Sequence, residues 1–292
     1  MNIAIFGKHF DATYDHTVGQ LLRRLVERGH RLRVYSRFLG FLHERGTLPD
    51  VRFDVFNDHH EVRDCDLFIS IGGDGTILDS VCLVRDSNVP VLGLNTGRLG
   101  FLSNVASEEI EEALASIENR KYYLDERGLI SVESDAVLLD DFPFALNEIT
   151  VQKHSDASMV AVHAYMGERF INTYWADGLI VATPTGSTAY SLSCGGPIIM
   201  PGSEAFVITP IAPHNLNVRP LVVPNHADLR LSAEGRRPVH RLTLDARPFD
   251  LPEGAEVRLS NARFKFNLLN LEHQHFFSTI RNKMLWGLDK RN

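Results

Sequence analysis

The stretch Ile69-Ser70-Ile71-Gly72-Gly73-Asp74-Gly75-Thr76 constrains this chain more than any other. Asp66 to Ile71 is short, apolar and β-branched enough for a buried strand, and Ile77, Leu78, Val81 and Val84 recur at helical spacing just beyond it. A strand that enters a helix through glycines at 72, 73 and 75 makes a sharp turn whose main-chain N–H groups face a ligand with no Cβ in the way. Asp74 is the only side chain of note in that turn. Its charge would repel bound phosphates, so its presence points to work on a hydroxyl or a metal ion rather than to simple anion binding. Thr76 with Asp79 three residues on reads as the cap of the helix. By itself Gly-Gly-Asp-Gly is also an ordinary tight turn, so the rest of the chain has to decide between the two.

The flanking pattern is that of a nucleotide-binding α/β fold. Asn2 to Phe6 reads as a first strand. Val18, Leu21, Leu22, Leu25 and Val26 follow on one helical face, with Thr17 and Gln20 as a capping box and Gly29 as the stop. Leu32 to Tyr35 is a second strand, yet the turn Gly7-Lys8-His9-Phe10 lacks the G-x-G-x-x-G of a dinucleotide fold. Residues 37–50, with Gly40, Gly46 and Pro49, read as loop with some helix. Val89 to Leu94 is another apolar run, and it leads into a second glycine-rich turn, Asn95-Thr96-Gly97-Arg98-Leu99-Gly100-Phe101-Leu102. Two such turns at the carboxyl ends of parallel strands line one crevice, where open α/β sheets bind ligands. Ser107, Glu108 and Glu109 open a helix whose Ile110, Ala113, Leu114 and Ile117 share a face.

After about residue 122 short β-type runs dominate. They are Leu129 to Glu133, Phe144 to Val151, Met159 to Tyr165, Phe170 to Trp175, Leu179 to Ala182, Ala205 to Ile211, Asp228 to Leu231, Arg241 to Leu244, Val257 to Ser260 and Phe264 to Leu269. Met166-Gly167-Glu168-Arg169 reads as a hairpin turn. A last helical pattern, Phe276, Phe277, Ile280 and Met284, is expected to return to the first domain. The expected architecture is an α/β N-terminal domain, residues 1–121 completed by 271–292, and a largely β domain, residues 122–270.

The net charge of −7 gives the chain as a whole no electrostatic attraction to nucleic acid or anionic membrane. No run approaches the ~20 apolar residues that cross a bilayer, and Met1 to Phe6 enters a strand with no basic and apolar leader. Cys65, Cys82 and Cys194 are odd in number and lack Cys-x-x-Cys spacing, which fits reduced thiols in a cytoplasmic protein. His59-His60 and His273-Gln274-His275 have no supporting Cys or carboxylate spacing, so they read as surface histidines rather than metal ligands.

The densest signal in the second half runs from Asp177 to Pro197, where an apolar strand ends at Thr183-Pro184 and Gly186 turns it into a segment of small hydroxyl residues ending at Gly195-Gly196. Such a surface lies close against a flat polar ligand, and Tyr190 could cover a base or sugar face. Together with Gly-Gly-Asp-Gly-Thr, the second glycine turn, Asn147-Glu148, Ile211-Ala212-Pro213-His214 and Arg219-Pro220-Leu221, this stretch resembles the NAD kinase family in motif and in order, over residues 72–221. The glycine turn alone is shared with diacylglycerol- and sphingosine-type lipid kinases and resembles that of phosphofructokinases. The Asp177 to Pro197 segment is what separates NAD kinases from them.

The resemblance implies transfer of the terminal phosphoryl group of ATP to the 2′-hydroxyl of the adenosine ribose of NAD, giving NADP. Mg²⁺ or another divalent cation would be carried mainly on the nucleotide. It implies Asp74 as general base between Gly73 and Gly75, and Asn147 and Glu148 holding the acceptor's ribose. Thr188, Ala189, Tyr190 and Ser193 would surround the adenine, with Ala212 also at the substrate. Asp177 would reach NAD across a subunit boundary, which implies a homodimer or homotetramer. The chain departs from the family in two places. Trp175 stands where a basic residue is common, and Asp245-Ala246-Arg247 replaces an Asp-Gly-Gln near the nicotinamide side, so that Arg247, read as a substrate-binding residue, could favour an extra phosphate or alter inhibition by NADP. Donor choice between ATP and polyphosphate, and acceptor choice between NAD and NADH, stay open. A lipid kinase and a catalytically silent NAD(P)-binding regulator are the competing readings. No basic amphipathic helix supports the first, and Asp74 argues against the second.

Overall fold

The computed structural model describes residues 1–48, 51–97, 100–103, 105–154 and 159–286. Two compact units emerge, Met1–Glu126 with Phe266–Asn292, and Arg127–Lys265. The expected changes at 121/122 and 270/271 lie at the ends of two long strands, whereas those between the units, at 126/127 and 265/266, fall inside them. The chain passes between the units within a strand both times.

In the first unit, strands β1 (Asn2–Gly7), β2 (Arg31–Tyr35), β3 (Asp54–Phe56), β4 (Leu67–Ile71) and β5 (Val91–Leu94) form a parallel sheet in the order β5-β4-β1-β2-β3. The end of the chain's last strand joins it, with Leu268 parallel to Val91. β4 is buried at all five positions, which is why it reads as a near-continuous apolar run, broken only by Ser70, rather than an alternation. The helices are α1 (Asp15–Glu27), α2 (Ser36–Glu44), α3 (Asp74–Val84) and α4 (Ile110–Glu118). α1 buries Val18, Leu21, Leu22 and Leu25, each fully buried leucine adding roughly 2 kcal/mol over an exposed one.

Thr17 and Gln20 do not form the expected capping box, because α1 starts two residues earlier and Gln20 bonds the His16 ring at 2.8 Å instead. Gly29 takes φ +76° just past the helix, the left-handed stop expected of it. α2 occupies much of a stretch read chiefly as loop. Its buried positions, Phe38 and Leu42, are one helical turn apart, too short a pattern to register as periodic. Pro49 lies outside the described residues.

The strands that follow are β6 (Tyr122–Glu133), β7 (Phe144–Ala145), β8 (Glu148–Gln152), β9 (Val160–Met166), β10 (Arg169–Ala176) and β11 (Gly178–Ala182). After the short helix α5 (Tyr190–Ser193) come β12 (Ala205–Ile211), β13 (Leu221–Pro224), β14 (Leu229–Glu234), β15 (Val239–Leu244), β16 (Arg247–Pro252) and β17 (Glu256–Leu271). Within the second unit, β13-β12-β11-β8-β15-β16 form one antiparallel sheet and β10-β9-β14-β17 another. Val151, Val181, Ile208 and Leu242 of the first sheet share a core with Val162, Leu231 and Val257 of the second. Ile180 and Ala182, on the other face of β11, pack with Ile199 and Cys194, so this strand is apolar at every position.

Gly167 takes φ +55° in the β9–β10 hairpin, as its two-residue turn requires. The two runs read at 257–260 and 264–269 are one strand, β17. β3, β13 and β16 were not legible: β3 has three residues, β13 exposes Leu221 and Val222, and β16 contains Pro248 and Pro252.

α6 (Phe276–Met284) belongs to the first unit and is capped by the His275 ring, whose Nδ1 accepts from the Ser278 N–H at 3.1 Å. His273 faces Glu109 and Glu112. Among the described residues no helix is long and apolar enough to cross a membrane.

His240 on β15 is 2% exposed, and neither ring nitrogen has a hydrogen-bond partner among the described residues. Burial holds its pKa below the ordinary histidine value. The unfolded chain therefore takes up the proton first, so this group subtracts stability as pH falls below about 6.5. Urea unfolding at pH 7.5 and 5.5 is expected to show a loss in the wild type that His240→Leu reduces; an equal loss in both proteins would refute it.

Candidate active site

β4 ends at Ile71 and α3 begins at Asp74, so two glycines make the whole connection. At Gly72, φ is +150° and a Cβ would lie 2.2 Å from Thr76 Oγ1. A Cβ at Gly73 or Gly75 would meet nothing within 4 Å, so these two glycines serve access rather than packing. The expected Thr76–Asp79 cap does not form. Gly73 is the N-cap with no side chain to bond the first turn, Thr76 lies inside the helix, and Asp79 pairs with Lys8. No side chain caps the first turn, and within it the Thr76 N–H bonds the Gly73 carbonyl at 2.9 Å.

Asp74 is held by the second glycine turn. Its Oδ2 accepts from the Phe101 N–H at 2.8 Å, and its Oδ1 from the N–H groups of Leu102 and Ser103 at 3.0 and 2.9 Å. Gly100 has to be glycine, because a Cβ there would fall 1.8 Å from Asp74 Oδ1. Ser103, fully buried, also donates its hydroxyl to the Gly72 carbonyl at 2.7 Å, joining the two turns. Asn95 shapes the second turn by accepting from the Gly97 N–H at 2.7 Å and donating to the Ser103 carbonyl at 3.2 Å. Arg98 and Leu99 lie outside the described residues. Sequence reading marked this turn as crevice lining but missed Gly100 and Ser103 as the partners of Asp74.

In the second unit Asp245 plays a similar part for the segment that carries Asn147 and Glu148. It sits at φ +51° in the two-residue turn between β15 and β16. Its carboxylate accepts from the N–H groups of Leu146, Asn147 and Glu148 at 2.8, 2.8 and 3.1 Å. Burial raises the Asp245 pKa, and these N–H bonds and Arg247 act against it. Glu148 lies beside it, 9% exposed, with a buried Oε2 that has no hydrogen-bond partner. Desolvation, and then the charge of Asp245, push the Glu148 pKa up to about 8, so the side chain carries a proton at neutral pH.

The small-residue segment is packed onto the same place. The Asn147 carbonyl accepts from the Thr183 N–H at 2.8 Å, and Thr183 Oγ1 donates to the Leu146 carbonyl at 2.6 Å. Gly186 is forced by contact, since a Cβ would lie 2.0 Å from the Asn147 oxygen. Most of the hydroxyls are used internally: Ser187 bonds the Pro184 carbonyl and the Ile199 N–H, and Ser191 bonds Thr209. Thr188, whose hydroxyl donates to the Thr185 carbonyl at 3.1 Å, and Ala189, Tyr190 and Ser193 reach the surface.

Tyr190 is 39% exposed, and its phenol is raised by burial and by the neighbouring Cys194 and Asp177. Asp177 pairs with Lys153 at 2.6 Å and keeps 40% of its side chain exposed. Ala212, exposed, follows β12 with φ +44°, a conformation uncommon for a residue with a Cβ. Glu148 and Gln152 are the two ends of β8, about 13 Å apart at ~3.3 Å per residue, and Gln152 is opposite Gly178. These residues form a strip long enough for an extended ligand.

Arg247 stands apart from that strip. Its guanidinium donates to Asp140 at 2.7 Å and to the carbonyls of Phe142 and Phe144, and lies over the Phe142 ring. Its donors tie down the 140–144 segment instead of standing open to a phosphate.

Two family models match the chain, the ATP-NAD kinase N-terminal domain over residues 5–122 and the ATP-NAD kinase C-terminal domain over residues 146–271. The NAD kinase of Flavobacterium psychrophilum is 39% identical and that of Cytophaga hutchinsonii 40% identical, each match covering all of both chains. Among solved structures, yeast NADH kinase complexed with NADH superposes with a TM-score of 0.86 at 22% identity, covering 99% of this chain and 88% of its own. An NAD kinase from Archaeoglobus fulgidus in complex with ATP superposes at 0.73 with 26% identity, covering 98% and 99%.

Replacing Asp245 with Asn removes the charge next to Glu148 and leaves oxygen for only part of the N–H cluster. The Glu148 pKa is expected to drop from about 8 while staying above the ordinary carboxylate value. Asp245→Ala is expected to lower stability by roughly 3 kcal/mol, because three main-chain donors lose their acceptor. Carboxyl NMR titration and urea unfolding read the two effects; an unmoved Glu148 titration would rule out the coupling.

Proposed function

The chain belongs to the NAD kinase family, and from that premise we propose that it phosphorylates the 2′-hydroxyl of the adenosine ribose of NAD with ATP, using Asp74 as the group that handles the hydroxyl proton. The observation that carries this reading is the fixed carboxylate at the uncapped N-terminus of α3, held by three main-chain N–H bonds. Those bonds fix its direction, so its free lone pairs face the substrate without a conformational search. As the new O–P bond forms, the hydroxyl proton passes to Asp74 and ADP leaves. The N–H groups and dipole of α3 stabilise the charge on the phosphoryl group in transit.

Asn147 and Glu148 hold the acceptor's ribose. Below pH ~8 the protonated Glu148 donates to a ribose oxygen, and a neutral group is the better neighbour for the dinucleotide's phosphates. Thr188, Ala189, Tyr190 and Ser193 receive the adenine, with Tyr190 supplying a ring face. Ala212 borders the same ligand.

Among the described residues no cluster of three or more His, Cys, Asp or Glu has metal-site geometry. The donor set fits a Mg²⁺ ion that brings nucleotide phosphates and water as its main ligands, and it would screen the phosphate charge there. Three thiols fit a cytoplasmic setting. A lipid kinase would share only the glycine turn, whereas the likeness here extends through the segment after Asp177.

A coupled assay with NAD, ATP and Mg²⁺ is expected to show NADP formation by the wild type. Asp74→Asn should lower kcat by on the order of 10²- to 10⁴-fold while sparing NAD binding. Equal turnover by the variant would remove Asp74 from the mechanism.

The working form is a homodimer or homotetramer in which Asp177 serves a neighbouring subunit's acceptor. Its exposure supports this, as do exposed Phe170 and Trp175 on edge strand β10. Light scattering is expected to give a mass of at least two chains; an active monomer would exclude the shared site.

A further inference from the structure

The carboxyl ends of β4 and β5 lead into the two glycine turns. At the amino ends of the same strands the first unit has a cavity of about 630 Å³, within the size range of small-molecule sites. Leu67 at the start of β4, Pro90 just before β5 and Leu269 near the end of β17 line it from three neighbouring strands. α4 adds Ile117 and Glu118, and Arg120 and Tyr122 come from the passage into β6. His30, from the turn before β2, completes the wall with Met1 and Asp66. No residue of the glycine turns or of the acceptor strip takes part. From Leu67 to Ile71, β4 spans about 13 Å at ~3.3 Å per residue, so the cavity and the Asp74 turn are separated by the length of the strand.

The polar groups of this cavity are incompletely matched. His30 has 9% of its side chain exposed, and its buried Nε2 takes no hydrogen bond among the described residues although Glu118 Oε1 stands 3.3 Å from it. The other oxygen of Glu118 is held by Arg28 at 3.0 Å. Asp66 accepts from the Asn2 N–H at 2.7 Å through one oxygen and has no ion pair among the described residues. Exposed Arg120 has none either, so a carboxylate and a guanidinium line one cavity without meeting each other. Arg120 also sits just past α4 with φ +56°, the place and conformation that Gly29, at φ +76°, takes past α1. Glycine would stop the helix without a Cβ penalty, so the arginine side chain has a use there beyond the turn.

We propose that this cavity binds a free α-amino acid with a large apolar side chain, a ligand distinct from both substrates. Its ammonium carries three donors, and the cavity offers Asp66, Glu118 Oε1 and a neutral His30 ring accepting at Nε2. Glu118 Oε1 and His30 Nε2 are close enough to share one ammonium. The carboxylate meets the planar fork of Arg120. The side chain lies against Pro90 and the Tyr122 ring, over the buried Leu67, Ile117 and Leu269. An amine without a carboxylate leaves Arg120 unmatched, and an acid without an amine leaves Asp66 and His30 unmatched.

Equilibrium dialysis of the intact protein against labelled L-phenylalanine, L-tryptophan and L-leucine is expected to show saturable binding of at least one of them, undisturbed by saturating NAD or ATP. Phenethylamine, which lacks the carboxylate, and 3-phenylpropanoate, which lacks the ammonium, should compete at least about tenfold less well than L-phenylalanine. Arg120→Gly suits the left-handed turn, and Asp66→Asn keeps an oxygen for the Asn2 N–H, so both variants should fold; each should weaken binding about tenfold. No saturable binding of any of the three amino acids overturns the proposal. So does equal competition by either analogue, displacement by NAD or ATP, or an unaltered affinity in either variant. Dialysis needs no turnover, so failure of the wild type to make NADP is a separate result that bears on the kinase reading alone.

Discussion

A carboxylate that accepts three consecutive main-chain N–H bonds organises each half of this molecule. In the first unit Asp74 gathers the donors of residues 101–103, and in the second Asp245 gathers those of 146–148. The chemistry is the same, since an ionised carboxylate has enough lone pairs to satisfy a run of amides that neither helix nor sheet can pair. The uses differ. Asp245 is nearly sealed off, at a hairpin turn, so its effect passes through the loop it holds and the proton it keeps on Glu148. Asp74 is half-exposed on the first turn of a helix, so the same device there fixes the direction of a carboxylate that solvent can reach.

Glycine placement follows from these anchors. Gly100 and Gly186 are fixed by the atoms they would strike, the Asp74 carboxylate and the Asn147 carbonyl. Gly73 and Gly75 have empty space around them, so a methyl group there would meet no protein atom. Local composition treats all four as turn residues. Only the fold separates the glycines that let chain pack on chain from those that leave room.

The same distinction explains what could be read in advance. β1, β4, β5 and β11 were legible because strands covered on both faces leave near-continuous apolar runs, and α1 because its buried face repeats for three turns. Asp74, Asn147 and Glu148 stood out because their motifs are dense and ordered. Gly100, Ser103 and Asp245 did not, since their importance lies in partners 26 to 99 positions away in the chain. Arg247 was legible as an anomaly but not as a structural tie, because Asp140 lies 107 residues from it. The cap expected from Thr76 and Asp79 failed for a related reason: Lys8 claims the aspartate from the far side of the sheet's switch point.

The threading of the chain has a consequence for how the molecule comes into being. The first unit's parallel sheet is completed on one side by β17, where Leu268 joins Val91 only after the whole second unit has been made. Val105 bonds the Gly93 carbonyl near the far end of β5, but during synthesis the Val91 end stands as an open edge until the ribosome has added more than half of the protein. Pairing across so great a sequence separation is slow to form. The nascent first half is the stage at which this protein is most exposed to aggregation, and the most natural point for a chaperone to meet it.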